Sequence, residues 1–429
     1  MKKVLILAYD FPPNTSVGGQ RPYSWLKHFH EFGLYPIVIT RHWDVGLKTP
    51  EDMLKSSSCE TISDTSTEQG RLIQVPYKST LRDRLVIKQG KNHFSIIRKF
   101  ISFTIYLGQY FSLKLDPSAD IYREAVKLLK KESVDLIIAT GKPFVVFRYA
   151  YLLNKRFNVP WIADYRDGWA DSYTRNNDSL FYRLLNAVEL FIEKKFTKNI
   201  LFLTTVTPFL SVKIAETISK KGYLIPNGVD TSLYDCEIKQ NIFFTVCYTG
   251  ILYNFSYITI FEKAFIAFIE QYPEKDKQFI FVGIELQKNQ AYDTIYKLCV
   301  EYPDYIKINT RVTASESAVL HQQAHVLLNF IPRNQSMVLP VKTFGYAASK
   351  RPTVVVETTP NDDVYFMPNR DIQYFAHNAD DMLSLFTRFY LEYKKDKEIV
   401  TSITQAEINS FSRKERSRQL SEIIKKYLS

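Results

Sequence analysis

Short apolar runs alternate with stretches of helical periodicity along almost all of the 429 residues. That alternation points to an α/β protein with parallel sheets. In the first half, Val4–Ala8, Pro36–Thr40, Arg71–Pro76, Leu136–Thr140, Pro160–Ala163, Phe202–Val206 and Gly222–Ile225 read as strands. Between the first two, Trp25, Leu26, Phe29 and Phe32 recur at helical spacing, with Pro22 near the first turn and Gly33 beyond the end. Ile121–Lys131, Phe144–Phe157 and Leu180–Phe196 read as further helices, and Ser56–Gly70 as a polar loop. After a polar joint at Asp230–Asn241, the strands Phe243–Tyr248, Gln278–Val282, Ile306–Asn309, Val326–Phe330 and Thr353–Val356 alternate with helices in the same way. Helices near Asp380–Tyr393 and Ile403–Leu428 end the chain. The pattern predicts two doubly wound domains, residues 1–230 and 231–402, with a C-terminal helix at about 403–429 packing back on the first. Ligands of such sheets bind outside the carboxyl ends of the strands, so two facing domains make a cleft.

The chain carries a formal charge of +11, which favours acidic partners such as nucleotide sugars or anionic lipid surfaces. No nucleic-acid-binding motif accompanies that charge, and none is expected to act. Cys59, Cys236, Cys247 and Cys299 form no Cys-x-x-Cys pair, so neither a zinc knuckle nor a disulfide framework is expected, and a reducing cytoplasm fits. Lys2-Lys3 followed by Val4–Ala8 resembles a signal peptide, but the apolar run is short and Asp10 and Pro12-Pro13 follow at once. Nothing approaches the roughly 20 apolar residues that span a bilayer. Residues 93–116, however, mix Phe100, Phe103, Tyr106, Tyr110 and Phe111 with Arg98, Lys99 and Lys114. Such a segment suits either an anionic membrane interface or a helix packed on its own domain.

Four places collect polar residues where α/β sites form. The loop Phe11–Arg21 sets Gly18-Gly19 between a strand and a helix, where backbone N–H groups approach a diphosphate or simply make a tight turn. Its spacing is neither the dinucleotide fingerprint nor the Walker loop. Past the strand at Pro160–Ala163 come Asp164, Arg166, Asp167 and Trp169. Two carboxylates and an arginine there need partners or water, and Trp169 offers a sugar-sized apolar face; an internal Arg–Asp pair is the alternative. Tyr248-Thr249-Gly250 ends the first strand of the second half, where glycine permits close ligand approach. Finally, Pro340-Val341-Lys342-Thr343-Phe344-Gly345 places a lysine at the start of a short helix. A cation opposes the helix dipole there, which suggests an anion to hold.

In this order, the segments resemble family 4 of the glycosyltransferases, of GT-B fold. The resemblance lies in Phe11–Arg21 (Phe-Pro-Pro ending Gly-Gly-x-Arg), Trp161–Trp169, Ile225–Asp230 (Ile-Pro-Asn-Gly-x-Asp), Tyr248–Gly250 and Pro340–Phe344. It implies an N-terminal acceptor domain and a C-terminal nucleotide-sugar domain, both Rossmann-like. Lys342 would neutralise the leaving phosphate, with Asp167 and Arg166 orienting hydroxyls. Gly18, Gly19, Thr249, Gly250, Gly345 and Glu285 would line the donor, and Arg21, Asp164 and Trp169 the acceptor. The implied reaction is hexosyl transfer with retention of configuration, to a glycan or lipid-linked acceptor in surface-polysaccharide synthesis. It would take place in the cytoplasm or on the inner membrane face. No cofactor or metal is implied, and the chain has no Asp-x-Asp pair. It departs from the family where Met337 and Gly345 replace a Glu-x7-Glu pair and Tyr253-Asn254 replace a basic residue. Those gaps keep a second class open, a catalytically silent scaffold that binds a sugar, lipid or protein.

Overall fold

The computed structural model describes residues 1–14, 16–46, 49, 51–89, 95–170, 180–253, 257–331, 340–357 and 372–428. Met337, Asn254 and residues 93–94 lie outside them, as do the side chains of residues 95–99. The chain divides into two compact units, residues 1–226 with 416–429, and residues 227–415.

The first unit runs β1 (Lys2–Ala8), α1 (Val17–His28), β2 (Leu34–Arg41), β3 (Ser63–Ser66), β4 (Arg71–Val75), α2 (Leu81–Gln89), α3 (Ser95–Gly108) and α4 (Ala119–Lys131). It continues with β5 (Leu136–Gly141), α5 (Val145–Phe157), β6 (Trp161–Tyr165), α6 (Leu180–Thr197), β7 (Leu203–Thr205), α7 (Pro208–Ile218) and β8 (Gly222–Leu224). Its sheet has the order β3-β4-β2-β1-β5-β6-β7-β8. All pairings are parallel except β3 with β4. Both faces of β1 are buried, because successive side chains of a strand point to opposite sides. Leu5 and Leu7 join Ile37, Ala139 and Phe147 on one side; Val4 and Ile6 join Trp25 and Phe29 on the other.

The second unit runs β9 (Phe244–Thr249), α8 (Ile258–Gln271), β10 (Lys277–Val282), α9 (Gln290–Glu301), β11 (Ile306–Asn309), α10 (Ala314–Gln323) and β12 (Val326–Phe330). Then follow α11 (Lys342–Ala348), β13 (Thr353–Val356), β14 (Gln373–Ala376), α12 (Ala379–Asp396) and α13 (Gln405–Ser410); α14 (Arg413–Leu428) begins here but from residue 416 belongs to the first unit. Its sheet is parallel throughout, in the order β11-β10-β9-β12-β13-β14.

Three sequence expectations are corrected. Ser63–Ser66 is an antiparallel edge strand inside the expected loop; its residues are Ser, Asp and Thr, and it has no apolar alternation to reveal it. The helices Leu81–Gln89 and Pro208–Ile218 and the strand Gln373–Ala376 were not expected. The single helix expected over 403–428 is two. A capping box at Thr404 and Glu407 starts α13, whose neighbours Ile403, Ile408 and Phe411 pack with Val229 and Phe344 in the second unit. Leu420 and Ile424 of α14 pack instead with Trp25 and Phe29 of the first.

Apart from the antiparallel edge strand β3, the strand order of each sheet reverses once, between β1 and β5 and between β9 and β12. At such a switch point, connections leave on opposite faces and open a crevice beyond the strand ends.

Candidate functional site

At the switch point of the first unit, the residues following β1, β5 and β6 meet. Arg166 donates from Nε to the Gly141 carbonyl and from Nη2 to the Lys142 carbonyl, both at 2.5 Å, and lies 3.6 Å from the Asp10 carboxylate. Burial raises the Asp10 carboxyl above its ordinary value, and the Arg166 charge works against that rise. Asn14 donates to Asp10 at 3.3 Å and accepts from the Ser16 N–H at 3.0 Å, which ties the loop to the same carboxylate. Asp167 lies 3.4 Å from Lys142 Nζ, and both side chains are about half exposed. This open pair can reach a ligand; the partly buried Arg166 anchors the loop that carries it.

The two glycines have a steric reason. A Cβ at Gly18 would fall 1.5 Å from Arg166 Nη1 and 2.8 Å from the Asp10 carboxylate, and one at Gly19 would fall 3.0 Å from the Phe11 backbone. Gly18→Ala must therefore push the guanidinium off its two carbonyls. Overpacking of this kind costs roughly 1–3 kcal/mol, and urea unfolding of the variant is expected to register it.

Three residues expected at the acceptor lie in the core instead. Arg21 and Asp164 form a buried ion pair, Nη2 to Oδ1 at 2.7 Å. Trp169 is 3% exposed and stacks on Phe144 with ring centroids 5.0 Å apart, so it presents no free face. The internal Arg–Asp pair foreseen as an alternative does exist, but between residues 143 positions apart. An indole beside a carboxylate reads the same in sequence whether it faces solvent or Phe144.

At the switch point of the second unit stands Lys342. Its Nζ lies 3.8 Å from the centroid of the Tyr248 ring and 3.5 Å from where a Cβ on Gly250 would sit. Gly250 has φ +106°, which a side chain would strain, and donates its N–H to the Val282 carbonyl at 2.8 Å. Among the described residues, Lys342 makes no hydrogen bond or ion pair. Burial pushes its ammonium down to about 7. Next to it, His321 links Tyr234 (Nδ1 to the hydroxyl, 3.0 Å), Thr249 (Nε2 to Oγ1, 2.9 Å) and Ser317 (Nε2 to Oγ, 3.1 Å). Burial first, and the Lys342 charge second, hold the imidazole down to about 3, so it is neutral at pH 7.

This network corrects two donor-site expectations. Thr249 spends its hydroxyl on His321, and its N–H donates to the Tyr346 hydroxyl at 3.1 Å. Gly345 is buried, and a Cβ there would fall 2.8 Å from the Tyr234 hydroxyl. Glycine at that position makes room for the Tyr234–His321 contact, and no carboxylate fits. Glu285 follows β10; its Oε1 accepts from the Arg311 N–H at 2.9 Å, while Oε2 is buried with no partner. Sequence reasoning missed Asp10, Lys142, Tyr234 and His321. Lys142 follows a strand directly, which is a usable signal, but His321 lies inside a helix with no motif around it.

A cation beside the end of β9, next to a glycine of positive φ and without an acceptor among the described residues, can hold an anion. Comparison with protein-family models finds no match, and neither does comparison with characterised protein sequences. Solved structures do match. The sucrose-phosphate synthase of Thermosynechococcus elongatus is similar over 100% of this chain and 99% of its own, with TM-score 0.61 and 14% identity. The α,α-trehalose-phosphate synthase (UDP-forming) of Burkholderia xenovorans, in complex with glucose-6-phosphate, is similar over 100% of both chains, with TM-score 0.58 and 11% identity. HepE of Anabaena in complex with UDP is similar over 99% of this chain and 100% of its own, with TM-score 0.55 and 11% identity. The chain thus has the GT-B architecture of two doubly wound α/β units.

Proposed function

We propose that this protein is a glycosyltransferase that moves a hexosyl group from a nucleoside-diphosphate sugar to a glycan or lipid-linked acceptor. Retention of configuration and a role in surface-polysaccharide synthesis at the inner membrane face belong to the same reading. The observation that carries it is Lys342, an ammonium with no acceptor among the described residues at the switch point of the second unit. The fold relatives captured with UDP, or named as UDP-forming, support the donor class.

The hard step is departure of the nucleoside diphosphate while the sugar becomes oxocarbenium-like. Negative charge grows on the departing phosphate, and a preorganised cation there stabilises it. The reading gives that role to Lys342 rather than to a metal ion. Glu285 would accept from a donor hydroxyl through Oε2, which is buried without a partner, in place of the carboxylates missing at Met337 and Gly345. Asp167 and Lys142 would orient acceptor hydroxyls. A screen of nucleotide sugars in EDTA, read by mass-spectrometric detection of released nucleoside diphosphate, tests the reading.

One observation favours a second reading, a silent scaffold: the Tyr234 hydroxyl fills the space at Gly345 that a carboxylate would need. Isothermal titration with nucleoside diphosphates separates the two. Absence of binding at millimolar ligand selects the scaffold.

Binding of the donor is expected to depend on pH. A nucleotide sugar has no phosphate group that titrates near neutrality, so the lysine dominates. In the free protein Lys342 loses its proton above about 7, and a bound diphosphate restores it. Affinity is therefore flat below pH 7 and falls above it, by up to about tenfold per unit. Titration calorimetry in two buffers of different ionisation heat at pH 8 is expected to detect the uptake of a proton.

A further inference from the structure

We propose that α3 and α6 together form a surface that docks on an anionic lipid membrane. The two helices are joined in the first unit: the Tyr106 hydroxyl donates to Glu189, and the Phe103 and Phe181 rings lie 5.7 Å apart. Tyr110 continues from α3 into the core, where it packs against Trp169 and Phe196. The outer side of the pair is left apolar. Phe100 is 71% and Phe111 60% exposed; on α6, Leu180 is 80%, Leu184 66% and Phe191 64% exposed. These three α6 positions, spaced by four and seven, lie on one stripe of the helix. Single exposed apolar residues are ordinary on a protein surface, but two adjoining helices with aromatic outer faces are not.

Charge decides the occupant. On α6 the only acids are Glu189 and Glu193, and both are buried, receiving the hydroxyls of Tyr106 and Tyr165. Arg183, Lys194 and Lys195 remain outside, flanking the stripe. From residue 84 to residue 115 the chain has no acidic residue at all, while it has Arg84, Lys88, Lys91, Arg98, Lys99 and Lys114. Exposed aromatic side chains in segments rich in cations and free of exposed acids suit the headgroup layer of an anionic bilayer: rings enter the acyl boundary and cations stay with phosphates. No helix among the described residues is long and apolar enough to cross a membrane, so contact is by the surface. The inference extends the proposed function, to which a lipid-linked acceptor belongs, but its test needs no turnover.

The test is flotation of the full chain with vesicles of phosphatidylcholine alone and with phosphatidylglycerol mixed in, without donor or acceptor. Binding is expected only with the anionic lipid and is expected to weaken in high salt. Leu180→Ser/Leu184→Ser/Phe191→Ser leaves the charge unchanged and is expected to cut the bound fraction roughly tenfold. A folded variant that floats as well as the parent overturns the surface, as does a parent that ignores anionic vesicles. Phe191→Trp gives a second readout, because the four native tryptophans are all buried. Its emission is expected to shift to the blue on anionic vesicles, and no shift counts against docking. Sedimentation velocity checks for a second copy as the occupant: a dimer that the triple substitution dissociates overturns the membrane assignment. Loss of vesicle binding with donor turnover in solution intact would leave the transferase reading standing, and the converse would leave the surface standing.

Discussion

Lys342→Ala is expected to lower turnover about 10²–10³-fold, the usual cost of removing one preorganised donor at a site of developing negative charge. The same substitution is expected to leave the protein at least as stable at pH 7. The ammonium touches the Tyr248 ring and has no hydrogen-bond acceptor among the described residues, so its removal orphans no partner. In an unfolded chain a lysine titrates near 10.4, whereas here burial brings it to about 7. Between these values the unfolded chain binds more protons than the folded one, so stability rises with pH across that window. At pH 7 the native state still carries most of that penalty, and alanine or methionine removes it. Initial rates together with scanning calorimetry on Lys342→Ala and Lys342→Met separate the two effects. Unchanged turnover in a folded variant takes Lys342 out of the mechanism; a large loss of melting temperature makes it a structural residue.

The largest loss of stability is expected from Asp164→Ala. The carboxylate receives Arg21 Nε at 2.9 Å and Nη2 at 2.7 Å, Thr140 at 2.8 Å and Thr204 at 2.6 Å. Arg21 Nη1 also donates to the Ile225 carbonyl at 2.8 Å and to that of Pro226 at 3.3 Å. One buried pair thus joins α1, β5, β6, β7 and the exit from β8. Removing the carboxylate strands a guanidinium in the core, which costs about 3–5 kcal/mol. Urea unfolding of the first unit's transition is expected to show that loss. The double variant Arg21→Met/Asp164→Leu is expected to recover most of it, because an apolar pair of similar volume leaves no charge behind. A cost below about 1 kcal/mol for the single variant would mean that water or a relaxed loop satisfies Arg21, against the burial described.

The fold was largely legible. Strand and helix periods follow from local side-chain alternation, and four of the five segments that resemble a glycosyltransferase family reach or follow a strand end, the fifth starting α11. The site was legible only in part. Lys342 does start a short helix, as the run after Pro340-Val341 suggested, and it makes no side-chain hydrogen bond or ion pair among the described residues. Trp169 presents no free face, because Phe144, just before α5 in the chain, stacks on it. Thr249 and Gly345 looked like donor contacts, yet His321 and Tyr234 claim them.

Periodicity and the order of motifs determined the α/β class, the two doubly wound units and the strand ends at which a ligand belongs, since these depend on neighbours a few residues apart. Which carboxylate pairs with which cation was settled only in three dimensions. Arg21 of α1 pairs with Asp164 of β6 because both are sealed from water, where an unpaired charge is intolerable. Lys342 stayed unpaired because no acid among the described residues reaches it across the Tyr248 ring, and no local pattern in the chain encodes such an absence.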